Sequence, residues 1–279
     1  VAQEGQVWYN SSSQVLKGFK LTPGTGAWSS GGAMNTTRAQ CAGAGSQSAG
    51  IVAGGVEPAG SVNSETYDGS TWSEGNNLSS VRMQQAGTGG GPQSSALSIS
   101  GMITTTNVTN VESWNGTSWT ETADVNTARH QGGGAGDSNT SGMFFGGETP
   151  GTRYDITETF NGTSWTEVAD LNTQRTMISG GGPISGAMGI AGSTDGTATS
   201  FSALAETWDG TSWTEVADLN TPRTATMSMV TDSTSAITAG GTVSTSPQVV
   251  TESWNGTSWT EVADIATARY NGTGVGTAP

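Results

Sequence analysis

Glu112-Ser-Trp-Asn-Gly-Thr-Ser-Trp-Thr-Glu121 is the stretch whose reading decides the fold. Near-copies stand at Glu65-Thr-Tyr-Asp-Gly-Ser-Thr-Trp72, Glu158-Thr-Phe-Asn-Gly-Thr-Ser-Trp165, Glu206-Thr-Trp-Asp-Gly-Thr-Ser-Trp213 and Glu252-Ser-Trp-Asn-Gly-Thr-Ser-Trp259. They recur about every 46 residues, the mark of one supersecondary unit repeated along a chain. Alternating side chains around an Asn-Gly or Asp-Gly pair read as a β-hairpin. A two-residue type I′ loop would set Trp114 opposite Thr117 and Glu112 opposite Trp119. Alternation then puts Glu112, Trp114, Thr117, Trp119 and Glu121 on one face, and Ser113, Ser118 and Thr120 on the other. The Trp face is expected to pack on a neighbouring unit, where each buried indole stabilises by roughly 3 kcal/mol or more.

Two further markers frame the hairpin. The second Trp recurs as Trp28, Trp72, Trp119, Trp165, Trp213 and Trp259, and an Arg follows as Arg38, Arg82, Arg129, Arg175, Arg223 and Arg269. After the Arg comes a glycine-rich run such as Gly132-Gly-Gly-Ala-Gly136. A short apolar strand then ends on small residues, as in Ile51-Val-Ala-Gly-Gly55 and Met143-Phe-Phe-Gly-Gly147. A loop of varying sequence leads into the hairpin. No stretch has sustained helical periodicity, and four short strands per unit (A to D) at this period are the signature of a propeller blade. Complete units begin at Arg38, Arg82, Arg129, Arg175 and Arg223. One strand remains at residues 269–276. Three remain near the start, in Gly5-Gln-Val-Trp-Tyr-Asn10, Gln14-Val-Leu-Lys-Gly-Phe-Lys20 and Ala27-Trp-Ser29, with a turn from Pro23 to Gly26. The expected fold is therefore all-β: a six-bladed β-propeller of four-stranded antiparallel blades, one domain over residues 1–279. Its blades fall near 38–75, 82–122, 129–168, 175–216, 223–262 and 269–277, the last joined with 5–30 to close the ring.

A glutamate on the Trp face cannot be buried alone. Glu65, Glu112, Glu158, Glu206 and Glu252 are expected to pair with the repeated arginines, within or between blades. A residue present in every unit serves the scaffold, so a functional site should break the repeat.

Composition narrows the function. The net charge is −14, and Lys17 and Lys20 are the only lysines. Such a chain repels polyanions, so nucleic acid and anionic membranes are not expected partners. No apolar run reaches membrane-spanning length, so no membrane insertion is expected, and no signal peptide is visible. Val1 in place of Met is expected of a processed chain or a segment of a longer one. The lone Cys41 excludes an internal disulfide and a cysteine zinc site. The lone His130 cannot by itself build a copper site, and spaced Asp loops for calcium are lacking. No catalytic residue, metal or cofactor is expected.

The double Gly closing the second strand, the Glu and aromatic opening the third, the Trp five residues after that aromatic and the Arg ten residues later resemble the kelch repeat, over residues 38–270. Two units depart from it, with Ser100-Gly101 and Ala191-Gly192 in place of the double Gly. The resemblance implies a closed ring that binds partners through the face bearing the B–C and D–A connections. The B–C loops are residues 56–64, 102–111, 148–157, 193–205 and 242–251. Their sharpest cluster is Arg153-Tyr154-Asp155 with Asp195 and Phe201 of the next unit, the candidate binding residues. Kelch-type galactose oxidase needs several His and Tyr ligands and a Cys–Tyr crosslink, which one histidine does not supply. The sialidase Asp-box is approached by Thr66-Tyr-Asp-Gly-Ser-Thr-Trp72, one residue short. The opening Glu4-Gly-Gln-Val-Trp-Tyr-Asn10 is similar to segments of phage tail-fibre and virion surface proteins. The expected function is a non-catalytic binding or structural module on an extracellular or virion surface, such as a phage fibre, appendage or host-attachment component. Its expected partners are other subunits of a surface assembly or a cell-surface glycan. A secreted bacterial carbohydrate-binding propeller is the alternative, and a glycan-acting hydrolase or oxidase comes after it.

Overall fold

Each repeat folds into one antiparallel sheet in which sequence order is spatial order. The computed structural model describes residues 7–10, 15–18, 28–57, 59–197, 200–276 and 278. In the third unit Gly133–Ser138, Ser141–Phe145, Thr157–Phe160 and Trp165–Glu167 are the strands A, B, C and D, paired in that order. The first unit pairs Ala42–Ser46, Ala49–Ala53, Ser64–Tyr67 and Trp72–Glu74 in the same way. Three more four-stranded sheets begin at Ala86–Gly87, Ser179–Gly181 and Met227–Asp232. The result is a β-propeller of four-stranded antiparallel blades.

The A strands converge on the axis, and their glycines permit it. A Cβ on Gly87 would lie 2.5 Å from the Gly43 nitrogen, and one on Gly134 would collide with the Gly87 carbonyl. At the head of each A strand one residue is left-handed: Gln40, Gln84, Gln131, Met177, Ala225 and Asn271, with φ between 50 and 57°. This turns its amide sideways to the neighbouring wall. Gln84 N donates to Gln40 O (3.0 Å), Gln131 N to Gln84 O (3.0 Å), Ala225 N to Met177 O (3.1 Å), Asn271 N to Ala225 O (3.1 Å) and Gln40 N to Asn271 O (2.7 Å).

That ring has six stations, but only five four-stranded sheets stand behind them among the described residues. The expectation of six complete blades is corrected accordingly. Around Asn271 the chain takes the sixth inner place without forming a strand. A Cβ on Gly43 would meet Thr273 at 2.6 Å, so this segment wedges directly against the first blade. Val7–Asn10 and Val15–Gly18 pair with each other as a separate two-stranded sheet. The strand expected around Trp28 is not one at Trp28 and Ser29, and the turn expected from Pro23 to Gly26 lies outside the described residues.

The hairpin differs from its expected register. Trp114 lies opposite Trp119 and Glu112 opposite Glu121, so the loop has four residues, not two. Asn115 Oδ1 accepts the N–H groups of Thr117 and Ser118, both at 2.9 Å, and only Gly116 takes positive φ, at 92°. An Asx-turn replaces the type I′ pair because the Asn side chain satisfies two amides that a tighter loop would have paired through the backbone. The two aromatics of the hairpin then touch directly, with ring centroids 5.3 Å apart for Trp114 and Trp119.

Those aromatics do face a neighbouring blade. Trp165 packs with Leu97, Ile99 and Val111 of the blade before it, and Trp213 with Met143, Phe145 and Leu171. Trp165, Trp213 and Trp259 are 5–6 % exposed, whereas Trp28 is 37 % exposed.

The repeated Arg and Glu form a buried latch on the same face. Arg38–Glu65, Arg129–Glu158 and Arg175–Glu206 close to 2.6 Å, Arg223–Glu252 to 2.8 Å and Arg82–Glu112 to 3.3 Å. Arg175 also donates from Nη1 to the Ala191 and Leu204 carbonyls, at 3.0 and 2.8 Å. Asn172, on the chain arriving from the previous blade, donates its N–H and its side-chain amide to Glu206 Oε2, at 2.7 and 2.8 Å. One carboxylate thus ties a strand C to the connection that enters its blade. The loosest latch lacks the Asn: Ser79 stands there and gives Glu112 a single backbone N–H, at 2.8 Å. Arg269 is exposed, and its Nε bonds only the nearby Thr267 carbonyl at 3.4 Å. The sequence explains the difference. Seven residues before the second Trp each complete unit has Glu, whereas Leu21 stands there before Trp28, and Ala266 replaces the Asn.

Truncating one partner of a buried pair strands a charge, at a cost of about 3–5 kcal/mol. Urea unfolding of Glu206→Ala should show a loss of that order, and Arg269→Ala less than about 0.5 kcal/mol. Equal losses would contradict the latch as described.

Candidate functional site

The converging A strands leave an axial cavity of about 120 Å3, with the left-handed residues at one end of its lining. Its other end is stoppered. Gly89 donates its N–H to Gly43 O at 2.9 Å, and its Cβ position lies 3.6 Å from Gly181 Cα and 3.9 Å from Gly134 O. One residue of the second blade is therefore bonded to the first, with room for little more than a methyl group between it and the third and fourth. The run Thr88-Gly-Gly-Gly-Pro92 crosses the axis, which is why strand A of this blade stops at Gly87. The cavity is a blind pocket.

Its lip carries the amides of Gln40, Gln84, Gln131 and Asn271, interrupted by Met177 and Ala225. Deeper in, Ser179 Oγ lies 2.6 Å from Thr226 Oγ1 and 2.7 Å from Ser228 Oγ. Gln85 is 7 % exposed; its Nε2 donates to Ala53 O at 2.7 Å, while its Oε1 has no partner. The reversed amide would oppose two oxygens, so this orientation is fixed. Cys41 also lines the wall; burial pushes its thiol up to about 11, which keeps it protonated at neutral pH.

Outside the lip the B–C loops rise as short two-stranded ribbons in four of the five blades, among them Glu148–Thr149 with Thr152–Arg153. A polar cluster joins three loops there. His130 Nδ1 lies 2.9 Å from Asn107 Oδ1, and its Nε2 is 3.6 Å from Glu148 Oε1. Arg153 Nε is 3.6 Å from Glu148 Oε2, and the left-handed Gly196 of the next loop presses on the Arg153 guanidinium. Thr176 Oγ1 donates to Gln131 Oε1 at 3.3 Å, linking the cluster to the lip. Burial holds the Glu148 carboxyl above its ordinary value, with Arg153 and Thr176 opposing, and holds the His130 imidazole below its own. Burial thus works against the charged form of both partners of this contact. Hydrogen bonds from Thr197 hold the exposed Asp195 below the usual carboxylate range, with Arg153 adding to the effect.

Of the five residues singled out by sequence, the structure brings Arg153 and the Asp195 loop together. Tyr154 turns back into its own ribbon, its hydroxyl 3.2 Å from Thr149 Oγ1. Asp155 is exposed and gives only its carbonyl to Leu171 N–H, and Phe201 is half-buried on the far limb of the next loop. Sequence reasoning missed His130, Glu148 and Asn107 as one cluster, and the amides of the lip altogether. Aligning the units on their Arg would have exposed the lip, because the second residue after it is Gln, Gln, Gln, Met, Ala and Asn.

His130 is the only histidine, so one imidazole resonance reports it. Its NMR titration should have a midpoint below the ordinary value near 6.5. A depressed histidine adds stability that is full above about 6.5 and is lost as pH falls through its folded value. His130→Gln should therefore lessen the acid-side loss of stability; an unchanged profile contradicts this.

No protein-family model matches the sequence, and no curated protein matches it either.

Proposed function

We infer that this chain is a non-catalytic recognition module displayed on an extracellular or virion surface, where it engages another subunit or a host surface through its B–C face. The observation that carries the reading is a division of labour along each repeat. The groups that recur, Arg and Glu above all, are buried in the latches. The groups that differ between repeats gather around the lip of the cavity, as His130, Glu148 and Arg153 do. Variation between the repeats is thus concentrated on one face of the propeller, as in other scaffolds that present binding loops. High Gly, Ser and Thr content and a charge of −14 suit a solvated, non-adhesive exterior. The kelch-like repeat and the phage-like opening support the same reading.

The test is attachment. Fluorescently tagged protein should bind host cells or the isolated native particle saturably, and Arg153→Ser with Glu148→Gln should weaken it roughly tenfold without changing thermal stability. Turnover of a glycan that Glu148→Gln abolishes would replace this reading with an enzymatic one.

A further inference from the structure

We propose that the blind axial pocket is a binding site for a neutral polyhydroxylated ligand, the terminal pyranose of a glycan, with the lip amides as its hydrogen-bonding groups. The inference rests on the surface-recognition reading but names a place and a ligand chemistry which that reading does not contain.

Charge comes first. Among the residues lining the pocket there is no Lys, Arg, His, Asp or Glu. An ionised ligand entering it would lose water without gaining a counter-charge, and the net charge of −14 adds repulsion for anions. A hard cation would look for carboxylate oxygens, and the wall offers none. An apolar ligand would strand the amides and hydroxyls. What remains is a neutral molecule rich in donors and acceptors.

The wall matches such a molecule in kind. Gln40, Gln84, Gln131 and Asn271 each present an amide, which both donates and accepts, as a sugar hydroxyl does. Ser179, Thr226 and Ser228 form a hydroxyl cluster below them. Shape agrees: the Gly89 stopper admits the end of a chain and excludes a threaded strand.

The experiment is an NMR titration of the whole chain with galactose, glucose, N-acetylglucosamine and maltotriose, with glucuronate as the charged control. At least one neutral sugar should shift the amides of Gln84, Gln131 and Asn271 saturably, and glucuronate should bind at least roughly tenfold more weakly. Gln84→Gly with Gln131→Gly removes two amides and suits the left-handed backbone there. That variant should weaken the sugar by roughly tenfold. No saturable response to any neutral sugar, or a response unchanged in the lip variant, overturns the proposal. The same proteins assayed for attachment separate the two readings. Attachment without any sugar response overturns only the pocket, whereas a wild type that binds sugar and attaches to nothing overturns only the surface role.

Discussion

The fold depends on the burial of a guanidinium against a carboxylate where the chain enters each blade. A propeller has no single core; it has a seam between each pair of sheets, and every seam must hold by itself. Aromatic rings fill the outer part of the seam, as Trp213 does against Phe145 at 4.9 Å. Rings alone slide. The Arg175–Glu206 pair, with Asn172 and the Ala191 and Leu204 carbonyls, fixes the chain entering a blade to that blade's third strand. Such pairs add little net free energy compared with apolar substitutes, but they tolerate no alternative register. Specificity of assembly is what five near-identical sheets most need, since any one could pack on any other.

The same constraint explains the asymmetry of the ring. Where the Glu and Asn are absent from the repeat, at Leu21 and Ala266, the sixth Arg stays at the surface. Inner closure survives there because it uses backbone, not side chains: Gln40 N reaches Asn271 O without regard to what either residue carries beyond Cβ. Closure at the axis and locking of each blade's entry are separate physical problems: five backbone hydrogen bonds join the six left-handed residues, and five latches hold the blades.

Architecture was legible in the sequence because the repeat is written in residues whose physics is local. Trp spacing gave the blade, and the Glu on the Trp face required the Arg. Turn geometry was misread for a similar reason. Asn115 was taken for its backbone tolerance when its side chain mattered, and a four-residue loop moves the partner of Trp114 from Thr117 to Trp119. The pocket was illegible for another reason. Gln40, Gln84 and Gln131 lie about one repeat apart, and nothing in a single unit marks them. Only convergence of the A strands brings them to one rim. Arg153 was found because it interrupts the repeat, whereas His130 was discounted as a solitary residue although Asn107 and Glu148 lie beside it.

The left-handed backbone at the lip also governs how this protein can change over generations. A β-branched residue at Gln84 or Gln131 would meet steric resistance at φ near 56°, so Val and Ile are disfavoured at the positions that shape the mouth. Drift there is channelled toward Asn, Gln, Gly and other unbranched side chains. Lineages descending from such a ring would diversify mainly by lengthening, shortening or deleting amides, in small steps that leave the hydrogen-bonded circle beneath them intact.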